Sequence, residues 1–371
     1  MVDLNGQYLK IQNEIDEAIK NVLHSTAFIH GPVVKEFEDN LSRYLGVKHV
    51  IACANGTDAL QIALMASGLK YGDEVLVPDF TFVASAEVVG LLGYHPVLTD
   101  VDYKTFNTGF EQLKQAISIR TKAIIPVHLF GQSCDMEPIL ELAQRYDLTV
   151  IEDNAQAIGA EYTFKNGRKA KTGTIGNIGC TSFFPSKNLG CYGDGGALFT
   201  NDDEMADKIR AIANHGMKKR YYHEMLGVNS RLDSIQAAIL NIKLAHLDLY
   251  SKARRESALF YNEGLKDIDG LVTPAESKFS THVYHQYTLK ITDGRRNELQ
   301  KYLEEEGIPA MIYYPVPLHK QEAFITISRQ RTELNNTERL CNEVLSLPMH
   351  TELTPEIQNF IIEKIRRFFG K

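Results

Sequence analysis

The stretch Thr181 to Asp202, TSFFPSKNLGCYGDGGALFTND, sets a single lysine, Lys187, between an aromatic, proline-containing run and a glycine-dense turn. A primary amine held by such a turn can condense with a carbonyl or carry a proton, and Gly193 to Gly196 lets the chain close around whatever the amine touches. Unengaged, the same segment is a surface turn with a solvated lysine. A second stretch, CANGTDALQIALMA, passes from a β-rich run through Gly56, Thr57 and Asp58 into an apolar helical pattern. Free N–H groups at a helix start suit a phosphate, although Thr57 or Asp58 could equally cap the helix. The third is LTVIEDNAQAIGA, where Glu152 and Asp153 end an apolar run and Gln156 follows. Asp153 could pair with a protonated ring nitrogen, cap the next helix or bind Mg²⁺.

The elements that must position these groups alternate regularly. Short β-rich runs occur at KHVIACA, DEVLVPD, HPVLTDV, TKAIIPVHL, LTVIEDNA, GCTSFF and GALFTND, mostly separated by helical stretches. Strands this apolar are buried on both faces, which predicts a three-layer α/β domain over residues 1–250 with a mainly parallel sheet and ligands at the carboxyl ends of its strands. Ile11, Ile15, Ile19 and Leu23 recur every four residues and predict an amphipathic first helix. Over 251–371 the pattern becomes a smaller α+β domain, with strands expected at HVYHQYTLKI and AMIYY and helices at RRNELQKYLEEEG, NTERLCNEVLSL and TPEIQNFIIEKIRRFF. On this frame the three stretches each fall at a strand end. Together they describe a pyridoxal 5′-phosphate site: Lys187 forms the covalent Schiff base, Asp153 keeps the pyridine nitrogen protonated, and the helix near Thr57 holds the phosphate.

Composition agrees with a soluble enzyme. The chain has 371 residues, 44% hydrophobic, and forty Lys+Arg against forty-seven Asp+Glu give a net charge of -7, which recruits neither nucleic acid nor an anionic membrane. The five cysteines are odd in number and lack CxxC spacing, as in a reducing compartment. Without a signal-peptide layout or a long apolar run, a cytoplasmic location is expected. GTIGNIG does not match GxGxxG and no P-loop motif occurs. His282 and His285, three apart on an expected strand, would face opposite ways, so no metal site is expected. The basic run MKKRYYHE (Met217 to Glu224) reads either as a loop meeting a diphosphate or as an effector-binding surface, which leaves a non-catalytic regulatory protein as the reading from a different class.

The motifs GPVVKEFEDNLSRYLG, ANGTDAL, VPDFTFVASAEVV, VIEDNAQAIGA, SFFPSKNLGCYGDGGALFTND, VNSRLDSIQAAIL and YYPVPLHKQEAF span nearly the whole chain. In them it resembles the DegT-type sugar-nucleotide aminotransferases of fold type I. The resemblance implies that Phe82 stacks on the cofactor ring, Gln156 meets its hydroxyl, and Thr57, Asp58 and Ser182 hold its phosphate. It also implies that Asn229 reaches that phosphate from the second subunit of a homodimer, with L-glutamate as amino donor and a nucleotide-linked keto sugar as acceptor. Family members with histidine at the lysine position act as dehydratases, so Lys187 implies transamination. The wording is most similar to the subgroup that aminates UDP-2-acetamido-2-deoxy-3-keto-glucuronic acid for bacterial surface polysaccharides such as O-antigen. There an arginine matching Arg231 is thought to meet the sugar carboxylate, while Arg231 could instead pair with Asp233. Where that subgroup has His-Tyr, this chain carries Tyr313 and Tyr314 at the substrate wall, and a dTDP-keto-6-deoxyhexose stays the alternative acceptor.

Overall fold

All seven apolar runs become strands of one sheet in the computed structural model, which describes residues 1–371. Their spatial order is His49–Cys53, Gly196–Thr200, Ile178–Ser182, Thr149–Asp153, Thr121–Ile124, Glu74–Pro78 and His95–Thr99, with a two-residue eighth strand, Arg329–Gln330, at the edge. Pairing is parallel except around Gly196–Thr200, which runs against both neighbours. Alternate residues of His49–Cys53 show why helices cover both faces. Ile51 and Cys53 pack with the helices Gly56–Ala66, Ala84–Leu91 and Asp203–Ala213, whereas Val50 and Ala52 pack with Pro32–Leu45 and Ser234–Ala245. Each large side chain sealed between the layers, such as Phe37, contributes about 1.5–3 kcal/mol relative to exposure. The first helix pattern forms as Gln12–Ser25.

The C-terminal part has its own core around the antiparallel strands Leu271–Val272, Tyr287–Ile291 and Val344–Leu347. Helix Leu247–Leu265 runs through residue 250, where the domain limit was expected, and Arg329–Gln330 crosses back to pair with the large sheet. Three local expectations need correction. Only the last five residues of HVYHQYTLKI form a strand, and AMIYY makes no strand beyond a single bridge from Met311 to Ser346. The helix expected to run to Leu347 is Asn335–Glu343, after which VLSL is a fully buried strand. Its ladder to Tyr287–Lys290, with the Thr288 and Ser346 hydroxyls 2.8 Å apart, outweighs a helical spacing that local sequence alone favoured.

Candidate active site

Strand His49–Cys53 turns into helix Gly56–Ala66 at Asn55, whose side chain accepts from the Asp58 N–H at 2.8 Å. The cap is thus Asn55, not Thr57 or Asp58. The Gly56 and Thr57 N–H groups make no hydrogen bond within the chain and border a cavity of about 650 Å³. Glycine is required around this corner: a Cβ on Gly56 would lie 2.6 Å from Ser182 Cβ, and one on Gly196 2.4 Å from the Asn55 carbonyl carbon. The Ser182 side chain and the helix start therefore sit against each other, an arrangement that fits a phosphate.

Across the cavity, Asp153 ends its strand with its carboxylate buried. Oδ2 accepts from Ser85 Oγ at 2.7 Å and Oδ1 from the Ala155 N–H at 3.1 Å. Beneath it, Glu152 accepts from the Gly173, Ile175 and Gly176 N–H groups and from His128, which closes the strand end against movement. Neither acid caps a helix, and no group of residues that could hold a metal ion occurs. Gln156 accepts from the Phe130 N–H at 2.7 Å and donates to the Tyr314 hydroxyl at 3.2 Å. Burial raises the Tyr314 phenol well above its usual range, so it stays protonated. Phe82 is 53% exposed and faces the cavity with its ring centre 6.3 Å from that of Tyr314. This leaves an aromatic face free to cover a flat ring.

Lys187 enters from the turn after Ile178–Ser182, its N–H donating to the Phe184 carbonyl at 2.8 Å. A Cβ on Gly190 would lie 2.4 Å from the Pro185 carbonyl oxygen, so the loop closes this tightly only with glycine. Burial of the amine pulls its pKa down to about 8, partly opposed by the Asp153 charge. With that value about one amine in ten is neutral at pH 7, far more than for an ordinary lysine, as a nucleophile or base requires.

Ten of the twelve expected site residues meet here: Gly56, Thr57, Asp58, Phe82, Asp153, Gln156, Ser182, Lys187, Tyr313 and Tyr314 all line the cavity. Asn229 and Arg231 do not. Asn229 is exposed at the molecular surface, and Arg231 makes neither an ion pair nor a hydrogen bond, so the pairing with Asp233 is absent. The basic run folds as an exposed hairpin, Met217–Lys219 with Tyr222–His223. The cavity wall holds three carboxylates, Asp58, Asp153 and Asp194, against one lysine. Ser85, Asn55 and His285 were not anticipated. Ser85 had no signal beyond a serine four residues after Thr81, and His285 lies outside the strand that was to turn it away.

A phosphate corner, a buried acid, a free aromatic face and a lysine of lowered pKa suit a phosphorylated pyridine aldehyde. Comparison with known proteins agrees. Residues 9–366 match the DegT/DnrJ/EryC1/StrS aminotransferase family model. The chain is 47% identical over its whole length to the "Pleiotropic regulatory protein" of Geobacillus stearothermophilus, covering 98% of that protein. It is 46% identical to the UDP-2-acetamido-2-deoxy-3-oxo-D-glucuronate aminotransferase of Pseudomonas aeruginosa, over 95% of both chains. The crystal structure of a DegT DnrJ EryC1 StrS aminotransferase from Brucella abortus superimposes with a TM-score of 0.95 at 45% identity, over 100% of this chain and 99% of that one. The chain therefore belongs to the DegT/DnrJ/EryC1/StrS aminotransferase family and is a pyridoxal 5′-phosphate-dependent sugar-nucleotide aminotransferase.

Proposed function

We propose that the chain transfers the amine of L-glutamate to UDP-2-acetamido-2-deoxy-3-keto-glucuronate, as a cytoplasmic homodimer serving bacterial surface polysaccharide synthesis such as that of O-antigen. The observation that supports the acceptor most directly is the unpaired Arg231 guanidinium beside Asn229, in a chain 46% identical to an enzyme of that name. An unpaired fork of N–H donors matches a carboxylate. The cavity has one lysine for three carboxylates, yet its ligands carry phosphates and carboxylates. Cations from a second subunit, at Arg231 and along the Lys218 to Arg220 edge of the hairpin, supply the missing charge. No helix is long and apolar enough to cross a membrane.

Within this reading each side chain has a task. Pyridoxal 5′-phosphate, when bound, supplies the aldehyde that carries the amine and the ring that takes up electrons. Gly56, Thr57, Asp58 and Ser182 hold the phosphate end, and Asn229 of the opposite subunit donates to it. Phe82 covers one face of the ring, and Gln156 holds its hydroxyl. Asp153, oriented by Ser85, keeps a proton on the ring nitrogen by its charge. Lys187 would hold the aldehyde end of the cofactor, and its amine, once freed, would take the proton from the donor's Cα and return one in the opposite half-reaction. The loss of 2-oxoglutarate before the sugar enters makes the cycle ping-pong.

Tyr313 in place of a cation favours the second reading, an uncharged keto-6-deoxyhexose on dTDP. A coupled assay with L-glutamate and each synthesised keto-sugar nucleotide separates the two. Turnover of the dTDP sugar in preference to the UDP-uronate would sink the first. The regulatory role named in one relative would by itself leave a protein without glutamate-dependent release of 2-oxoglutarate.

A further inference from the structure

His285 is the one histidine on the cavity wall, and nothing in the steps above uses it. The residue is 5% exposed and sits in the irregular segment just before strand Tyr287–Ile291. Its backbone is clamped from two sides. Arg254, buried on helix Leu247–Leu265, donates through Nη1 to the carbonyls of Tyr284 at 3.1 Å, His285 at 3.5 Å and Met349 at 3.0 Å. Asn188, next to Lys187, donates to the Val283 carbonyl at 2.8 Å, and the Val283 N–H donates to the Gly131 carbonyl at 2.8 Å. The backbone that carries the ring is therefore fixed.

The proton of the ring can then be placed. Nδ1 is enclosed by protein and has no hydrogen-bond partner. Nδ1 is unpaired in either tautomer, whereas Nε2, also without a partner, is not enclosed and can meet a ligand in the cavity, so placing the hydrogen on Nε2 avoids an unmatched buried N–H. A second proton is disfavoured as well: burial, the Lys187 amine and the Arg254 guanidinium all hold the imidazole pKa well below its usual value. His285 is thus a neutral ring with a single N–H to offer. A single neutral N–H matches an uncharged oxygen, whereas an anion is held by several donors converging on it, as at the phosphate corner, or by a cation. Glutamate carries carboxylates, while the sugar ring carries keto and hydroxyl oxygens.

We propose that His285 is a substrate-binding residue that donates its Nε2–H to an uncharged oxygen of the acceptor sugar and so acts in the sugar half-reaction alone. This rests on a keto-sugar nucleotide being the acceptor, and it holds for either the uronate or the 6-deoxyhexose.

The test uses the holoenzyme with unreactive probes that carry a hydroxyl in place of the keto group, UDP-2-acetamido-2-deoxy-glucuronate and dTDP-6-deoxyglucose, in titration calorimetry. If the wild type binds only the dTDP probe, the uronate reading fails and His285 is still tested with that probe. His285→Phe should bind the preferred probe about tenfold more weakly, the loss of one hydrogen bond. His285→Gln, whose amide nitrogen lies near the position of Nε2, should stay within about threefold of wild type. His285→Asn, whose nitrogen falls nearer to Nδ1, should resemble the phenylalanine variant. Single-turnover conversion by glutamate, followed by absorbance, should be unchanged in all three. Wild-type affinity in the phenylalanine variant overturns the proposal, as does a glutamate step slowed in parallel with sugar binding. Should the phenylalanine variant fail to fold, the two amides decide: equal affinities for glutamine and asparagine overturn it, and retention by glutamine alone supports it.

Discussion

The hydroxyl of Ser85 donates to Asp153 Oδ2 at 2.7 Å, and both residues are buried at the meeting point of helix Ala84–Leu91 and strand Thr149–Asp153. Together with the Ala155 N–H on Oδ1, this bond fixes the plane of the carboxylate. An acid that acts by charge on a ring nitrogen depends on that orientation. Ser85→Ala removes a hydrogen bond to a charged group, worth about 1.5–3 kcal/mol, and should lower kcat/KM about tenfold or more. Cofactor content should stay near wild type, because the phosphate corner is untouched. Full activity with normal cofactor content would show that the bond does not orient Asp153.

Lys187→Ala should abolish both turnover and the visible colour of the bound cofactor while leaving the fold intact, because it deletes the one covalent anchor. The amine's lowered pKa adds a test in the cofactor-free wild type. Attack on an aldehyde requires the neutral amine, so the rate of cofactor attachment should rise with pH and level off once that form predominates. Burial places the midpoint of this rise at about pH 8, with the plateau above it. A rate still climbing toward the ordinary lysine value of about 10.4 would mean that the amine is solvated rather than enclosed.

Arg231 has no partner within its own chain, so its truncation frees no buried carboxylate and should cost little stability. If it meets the C6 carboxylate of a uronate, Arg231→Ala should weaken that sugar by about 2–5 kcal/mol and a neutral 6-deoxy sugar far less. Steady-state KM for both nucleotides gives the comparison. Equal losses would remove the reason to prefer the uronate.

How much of this was readable beforehand follows the range of the forces involved. The strands of the large sheet are apolar on both faces, so burial alone marks them, and Lys187, Asp153 and Gly56 stand at their ends as the frame requires. The cap was expected at Thr57 or Asp58, and only the backbone path places it at Asn55. Val344–Leu347 continued a helical spacing, and only its ladder to a strand more than fifty positions earlier makes it extended. His285 was assigned to a strand face by alternation, whereas Arg254 and Gly131, both distant in sequence, hold it in an irregular segment. Contacts of that kind leave no local pattern to read.

Asn229 provides the last test, since it stands exposed on its own chain and outside the cavity it is expected to serve. If it donates to the cofactor phosphate of a partner subunit, the arrangement is isologous and each site borrows one asparagine. Asn229→Asp should then weaken cofactor retention, because a carboxylate would lie beside the phosphate. The decisive measurement mixes this variant with Lys187→Ala under conditions that exchange subunits. In each heterodimer one site carries both lesions, and the other joins an intact Lys187 to an intact Asn229 from the opposite chain. Activity should therefore rise above that of either parent, toward one working site per heterodimer. If Asn229 served the cavity of its own chain, every site in the mixture would carry a lesion. No recovery despite verified exchange would therefore exclude the shared site and leave the cavity's excess of carboxylates without its proposed counter-charge.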